Sequence, residues 1–194
     1  GIVTSIGPIL AGFVLPFCEK IAEFAQELPE ELKPKVRLCD TMGFGLPFPG
    51  VDLPRSVPKL CYKIQQAGIP PERMEWHGHN DFHHVIANAV AGWLYGCDIL
   101  NGTLMGFGER TGNPPLEGAI VMYRALKGAN GTDTTAITEI AEYFRSIGVQ
   151  IPKNYPLVGE DANRTRAGIH GGGLLMDERI YQIFDTSGLL GTPP

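Results

Sequence analysis

What most limits the fold of this chain is an alternation, three times repeated, of a short strand-like run and a helical stripe. Val36–Thr41, Met74–His79 and Asp98–Met105 are the strand-like runs. Apolar residues at helical spacing follow each: Val57, Leu60, Cys61 and Ile64; then Val85, Ile86, Ala89, Val90, Trp93 and Leu94; then Leu116 to Leu126. Gly68 closes the first of these helices and Gly128 the last. A further stripe, Phe13, Phe17, Ile21, Phe24 and Leu28, comes first, and Pro16 marks where its regular part starts, since proline suits a first turn. Strands and helices alternating with modest connections predict parallel βα units.

After Gly131 the pattern changes. Asp133, Thr134 and Thr135 offer caps for a helix carrying Ile137, Ile140, Ala141, Phe144 and Ile147, closed by Gly148. A Gly-rich, polar stretch from Gly159 to Gly173 follows, with no strand of its own. The expected division is an α/β domain over residues 1–131 and a helical or irregular subdomain over 132–194. The 194 residues suit one domain with a sizeable core, or one domain plus a small appendage.

A net charge of -5 and the lack of a Lys/Arg stripe argue against a nucleic-acid partner. No run of about 18 apolar residues offers a membrane span, and Gly1–Thr4 has no basic signal-peptide start. Cys18, Cys39, Cys61 and Cys97 are widely spaced, which fits reduced core thiols in a cytoplasmic protein. The chain starts without Met and stops at Leu189–Pro194 without a closing element, so both ends are expected to be cuts in a longer chain.

The chemistry centres on Trp76-His77-Gly78-His79-Asn80-Asp81. Residues i and i+2 of a strand face the same way, so His77 and His79 project side by side just before a polar loop. Two imidazoles so placed suit a divalent metal, but on their own they also fit two hydrogen-bonded histidines. Neighbouring runs add polar residues of the same parity: Arg37, Cys39 and Thr41 in the first, Asn101 and Thr103 in the third. Polar groups at the C-terminal ends of adjacent barrel strands are where barrel enzymes place their sites. Gly106-Phe107-Gly108-Glu109-Arg110-Thr111-Gly112-Asn113 follows; its glycines allow close approach to a ligand. Asn113 precedes Pro114-Pro115 and a helix that it could cap, and Glu109 and Arg110 could pair with each other or with neighbours.

Four segments, Leu38-Cys39-Asp40-Thr41-Met42-Gly43, His77-Gly78-His79-Asn80-Asp81, Gly108-Glu109-Arg110-Thr111-Gly112-Asn113 and Ala167-Gly168-Ile169-His170, occur in this order. Together they resemble the homocitrate synthase, 2-isopropylmalate synthase and Re-citrate synthase family, over about Gly12 to Leu190. The resemblance implies a partial (β/α)8 TIM barrel, about strands six to eight with their helices, followed by a small helical subdomain. It implies a divalent metal (Mn, Zn, Mg or Co), acetyl-CoA as co-substrate, a 2-oxo acid partner and a homodimer. His77, His79 and Asn113 correspond to metal-site positions. Thr41 corresponds to a threonine that holds the 2-oxo acid carboxylate; Asn101, Thr103, Glu109 and Arg110 are the further expected substrate contacts. His170 and Tyr181 correspond to subdomain residues that serve a partner subunit's site and assist acetyl-CoA enolisation.

Two departures stand out. The family's first strand, with its arginine and acidic metal ligand, has no counterpart, and Thr4-Ser5-Ile6-Gly7-Pro8-Ile9-Leu10 holds none of the acids that end the family's fifth strand. Three readings follow: an acetyl-CoA-dependent synthase, inactive as this stretch alone; a metal-dependent aldol lyase or carboxyltransferase on the same barrel; or a non-catalytic fragment. Ala167–His170 and Tyr181 favour the first. Phe82 and Trp93–Cys97 lean toward the citrate and homocitrate branch.

Overall fold

The computed structural model describes residues 2–3, 10–128, 131–181 and 185–192, the side chains of 2, 3, 10 and 178 excepted. Most of the Thr4–Leu10 stretch compared above with a fifth strand lies outside the described residues. The chain forms two compact units, Gly1–Ala119 and Ile120–Pro194.

In the first unit, β1 (Ile2–Val3), β2 (Val36–Asp40), β3 (Met74–Gly78) and β4 (Ile99–Asn101) form a parallel sheet in chain order. The helices are α1 (Leu15–Gln26), α2 (Val57–Gln66) and α3 (Val85–Leu94). A fourth, α4 (Leu116–Lys127), spans the division between the units, whereas the sequence reading put the boundary beyond this helix. Pro16 falls in the first turn of α1, as its missing N–H requires. Ser56 caps α2 by accepting from the Lys59 N–H at 3.3 Å.

Alternation along the strands gives the sheet two unlike faces. Val36, Leu38, Met74 and Trp76 are buried with Leu60, Cys61 and Ile64 of α2, Ala89 and Ala91 of α3, and Val14 and Cys18. Burying a large apolar side chain contributes roughly 1.5–3 kcal/mol, so this face holds the unit together. The other parity is mostly polar and in register: Arg37 beside Glu75, with the apolar Ile99 next to it, then Cys39 beside His77 beside Asn101. All four cysteines are thiols, and Cys39 is the one that is half-buried rather than buried.

The third strand is shorter than the expected Asp98–Met105. It ends at Asn101, and Leu104–Gly106 is a 3-10 turn with Met105 at φ 56°. At Gly102 a Cβ would lie 2.4 Å from the Pro114 carbonyl oxygen. That close crossing, with Thr103 N–H donating to Pro114 O at 2.9 Å, ends the ladder.

The second unit contains the rest of α4, α5 (Ala136–Ser146), α6 (Gly168–Met176) and α7 (Thr186–Leu190). Ile137, Leu189 and Leu190 form its buried cluster, with Val121, Leu157 and Val158 against it. The Thr134 and Thr138 hydroxyls donate to the Leu189 and Leu190 carbonyls, each at 2.6 Å, tying α7 to α5. The expected irregular stretch Gly159–Gly173 is irregular only at its start, because α6 begins at Gly168.

Candidate metal and substrate site

The register brings His77 and Asn101 together: His77 Nδ1 and Asn101 Oδ1 are 2.8 Å apart. An amide oxygen can only accept, so Nδ1–H donates to it, and in the neutral ring the lone pair then lies on Nε2. Holding one ring nitrogen in this way is how proteins orient a metal-ligating imidazole. The His77 and His79 rings stand 5.1 Å apart and nearly perpendicular. His79 is 7% exposed, and its Nδ1 is buried with no hydrogen-bond partner. Burial holds its pKa below the usual histidine value, and Arg110 and His77 push the same way. A neutral imidazole is the ligating form, so the pair fits a divalent cation. Among the described residues, no three His, Cys, Asp or Glu side chains come together as a metal set.

Thr41 follows β2, and the loop that carries it is shaped by Asp40. The buried Asp40 carboxylate accepts the Phe44 and Gly45 N–H groups, both at 2.9 Å. The Asn88 amide donates to Gly45 O at 2.8 Å. Gly43 has φ 66°, and a Cβ there would lie 2.9 Å from His79 O. Only glycine lets the Thr41 loop lie so close to the His79 backbone.

The segment from Gly106 to Asn113 is stitched to the same place. The Asn113 side-chain amide donates to Gly78 O at 3.0 Å, and Asn80 N–H donates to Gly112 O at 3.0 Å. Arg110, at φ 54°, grips the Asp81 carboxylate through Nε at 2.9 Å and Nη2 at 3.1 Å, and also donates to the Thr41 carbonyl. The guanidinium beside Asp81 holds that carboxyl below the usual range. Its second carboxylate, on the exposed Glu109, is 3.7 Å away. The Thr103 hydroxyl donates to Phe107 O at 2.5 Å, within its own loop. Phe44 and Phe82 stack at 5.0 Å on the two loops after β2 and β3.

The structure therefore gathers Thr41, His77, His79, Asn101, Arg110 and Asn113 around one end of the sheet. Glu109 is exposed there, and Thr103 is turned into its own loop. His170 and Tyr181 belong to the second unit, where their rings lie 4.4 Å apart. Three acids that the sequence reading assigned no role support this arrangement. Asp40 has the parity of the core face, which hid it. Asp81 stood in plain view within the histidine motif. Glu117 is 1% exposed and accepts the Met105 N–H at 2.9 Å, yet an acid in a helix's first turn looks unremarkable in a sequence.

The HMGL-like family profile matches residues 17–144, about two thirds of the chain. The chain belongs to the HMGL-like family. That places it in a TIM-barrel superfamily, in keeping with the parallel sheet. Among curated relatives, a citrate (Re)-synthase of Syntrophus aciditrophicus is 51% identical over 94% of this chain and 29% of its own length. One of Clostridium kluyveri is 45% identical over 94% of this chain and 40% of its own. A 2-phosphinomethylmalate synthase of Streptomyces hygroscopicus is 39% identical over 92% and 41%. The chain thus spans well under half the length of these relatives. Among solved structures, the N-terminal domain of a candidate aldolase from Bacteroides vulgatus aligns with a TM-score of 0.53 at 19% identity, covering 68% of this chain and 39% of that one. That likeness concerns the fold alone. No helix among the described residues is long and apolar enough to cross a membrane.

Proposed function

We propose that this chain is the later part of a (β/α)8 barrel, about strands six to eight, with the first helical subdomain, of a synthase that condenses acetyl-CoA with a 2-oxo acid. The Re-citrate and homocitrate reactions are the preferred members. One observation carries the reading: His77, oriented by Asn101, and His79, buried with an unpartnered nitrogen, stand beside Thr41 at one end of adjacent parallel strands. The relatives at 51% and 45% identity favour the synthase over a lyase or carboxyltransferase.

In this reading His77 and His79 hold a divalent cation, with Asn113 beside them. When bound, the cation supplies Lewis-acid polarisation of the ketone carbonyl. Asn101 keeps His77 in the tautomer whose Nε2 faces the site. Thr41 holds the 2-oxo acid carboxylate through its hydroxyl. Arg110 braces Asp81 and the Thr41 carbonyl, so it positions both loops as well as adding positive charge. His170 and Tyr181 assist enolisation by taking up a proton from the acetyl-CoA methyl group, in a homodimer where one chain's pair serves the other's site.

No acid joins the two histidines to make a metal set among the described residues. Residues 1–194 by themselves are therefore proposed to bind metal weakly and to lack turnover, since such groups act as a unit. The test is thiol release from acetyl-CoA with Mn²⁺ and oxaloacetate, 2-oxoglutarate or 2-oxoisovalerate, using these residues alone and joined to their natural upstream sequence. Turnover is expected only in the longer chain and is lost in His77→Ala. No thiol release in either form, or His77-independent release, overturns the assignment. Light scattering that shows only monomer overturns the dimer.

A further inference from the structure

The face of the sheet turned away from the helices carries one strand cation among the described residues. Arg37 on β2 lies in register with Glu75 on β3, and Cys39 and His77 form the next same-face pair along those strands. Arg37 is therefore a diagonal neighbour of His77, about 7–8 Å between backbones, within the reach of an arginine side chain. Its Nε lies 2.9 Å from Glu75 Oε1, with the Arg37 side chain 47% exposed and that of Glu75 12% exposed. The opposite, core face at the same level is apolar: Val36, Leu38, Met74 and Trp76.

The Arg37 side chain is about half exposed on this face, and a single ion pair with a neighbouring strand is worth little for such a group. Guanidinium has five donors in a planar fork. The contact with Glu75 is on the Nε side, which leaves the terminal Nη fork for a second carboxylate. Arg110, the other cation near the histidines, already grips Asp81 and the Thr41 carbonyl.

We propose that Arg37 receives the distal carboxylate of a dicarboxylic 2-oxo acid and so selects four- and five-carbon diacids over 2-oxo acids with apolar side chains. The proposal rests on the synthase reading. There, Thr41 and the histidine pair take the 2-oxo acid end, and the far end of the substrate lies deeper, where Arg37 stands one same-face step below the His77 level and two below Thr41. Glu75 pairs with the guanidinium on its Nε side and itself touches no substrate.

The experiment uses the full-length natural chain with Mn²⁺. Calorimetric binding of 2-oxoglutarate and of 2-oxobutyrate is measured beside kcat/KM with acetyl-CoA for oxaloacetate, 2-oxoglutarate, 2-oxobutyrate and 2-oxoisovalerate. Charge-assisted hydrogen bonds of this kind should make the diacid-to-monoacid preference fall about 10- to 100-fold in Arg37→Gln, in binding and in kcat/KM alike. Arg37→Lys should restore part of it, since it keeps the charge without the fork. Glu75→Gln should keep the preference, because the cation remains. A purely structural ion pair predicts otherwise: Arg37→Gln and Glu75→Gln would weaken all acids equally, and that result overturns the proposal. A wild type that binds diacids selectively but releases no thiol refutes the synthase reading and leaves the role of Arg37 supported by binding. A wild type with no diacid preference in binding refutes the role of Arg37 whatever the activity.

Discussion

Asp40 tests how the Thr41 loop is held, because two opposing effects meet on one buried carboxyl. It is 4% exposed and accepts two N–H groups, from Phe44 and Gly45, both at 2.9 Å. Asp40→Ala removes both acceptors. A buried donor left unsatisfied costs about 1–3 kcal/mol, so with two of them the alanine variant should lose about 2–6 kcal/mol. Asp40→Asn is a closer contest. Its amide keeps one oxygen for one N–H but points a donor at the other. It also removes a charge that burial disfavours, and burial is the stronger influence, holding the Asp40 carboxyl above the usual range against the pull of the Gly45 and Phe44 N–H groups. The asparagine variant should therefore lose only about 1–2 kcal/mol.

A carboxyl whose pKa is raised by folding binds its proton more readily in the native state. Its contribution is then full below the ordinary aspartate value and is lost as pH rises through the folded value. The stability of wild type relative to Asp40→Asn should thus improve as pH is lowered from about 7 to about 4, other groups being common to both. Both tryptophans, Trp76 and Trp93, lie in the first unit, so urea melts followed by their fluorescence report that unit alone. An alanine variant as stable as the asparagine variant would refute the hydrogen-bond argument. A wild-type advantage that grows with rising pH would refute the burial argument.

Three further outcomes are expected. Mn²⁺ or Zn²⁺ binding by calorimetry should be lost in His77→Ala and in His79→Ala; because burial lowers the His79 pKa, proton competition there should set in only below the usual histidine value of about 6.5, and affinity already failing above it would contradict this. Arg110→Ala should speed amide exchange over residues 79–84 and weaken metal binding, with little rescue by lysine, which lacks the two-pronged grip on Asp81; unchanged exchange would show the brace to be incidental. In the native protein iodoacetamide should label Cys39 first, since burial pushes the Cys18 thiol up to about 11 and Cys97, beside Cys61, also upward; early labelling of Cys97, read by peptide mass, would contradict the packing.

The parts of the fold that could be read in advance are those where one period decides burial. Val36, Leu38, Met74 and Trp76 alternate with Arg37, Cys39, Glu75 and His77, and the sheet buries the first set and turns the second toward the site. The histidine pair was legible for the same reason. The early end of β4 was not, because it depends on Gly102 crossing the Pro114 backbone, a contact between segments that pattern does not encode. Helix α6 was hidden for a different cause. Gly168, Gly171, Gly172 and Gly173 each disfavour helix by about 1 kcal/mol relative to alanine, so the stretch reads as loop. Yet a Cβ at Gly173 would lie 2.9 Å from the Tyr181 ring, and that ring packs on His170 of the same helix. Glycine there gives up helical propensity and in exchange admits the aromatic contact. The features that make Ala167–Gly173 look irregular are thus the ones that let Tyr181 reach His170, and the pair proposed for proton transfer depends on a residue with no side chain at all.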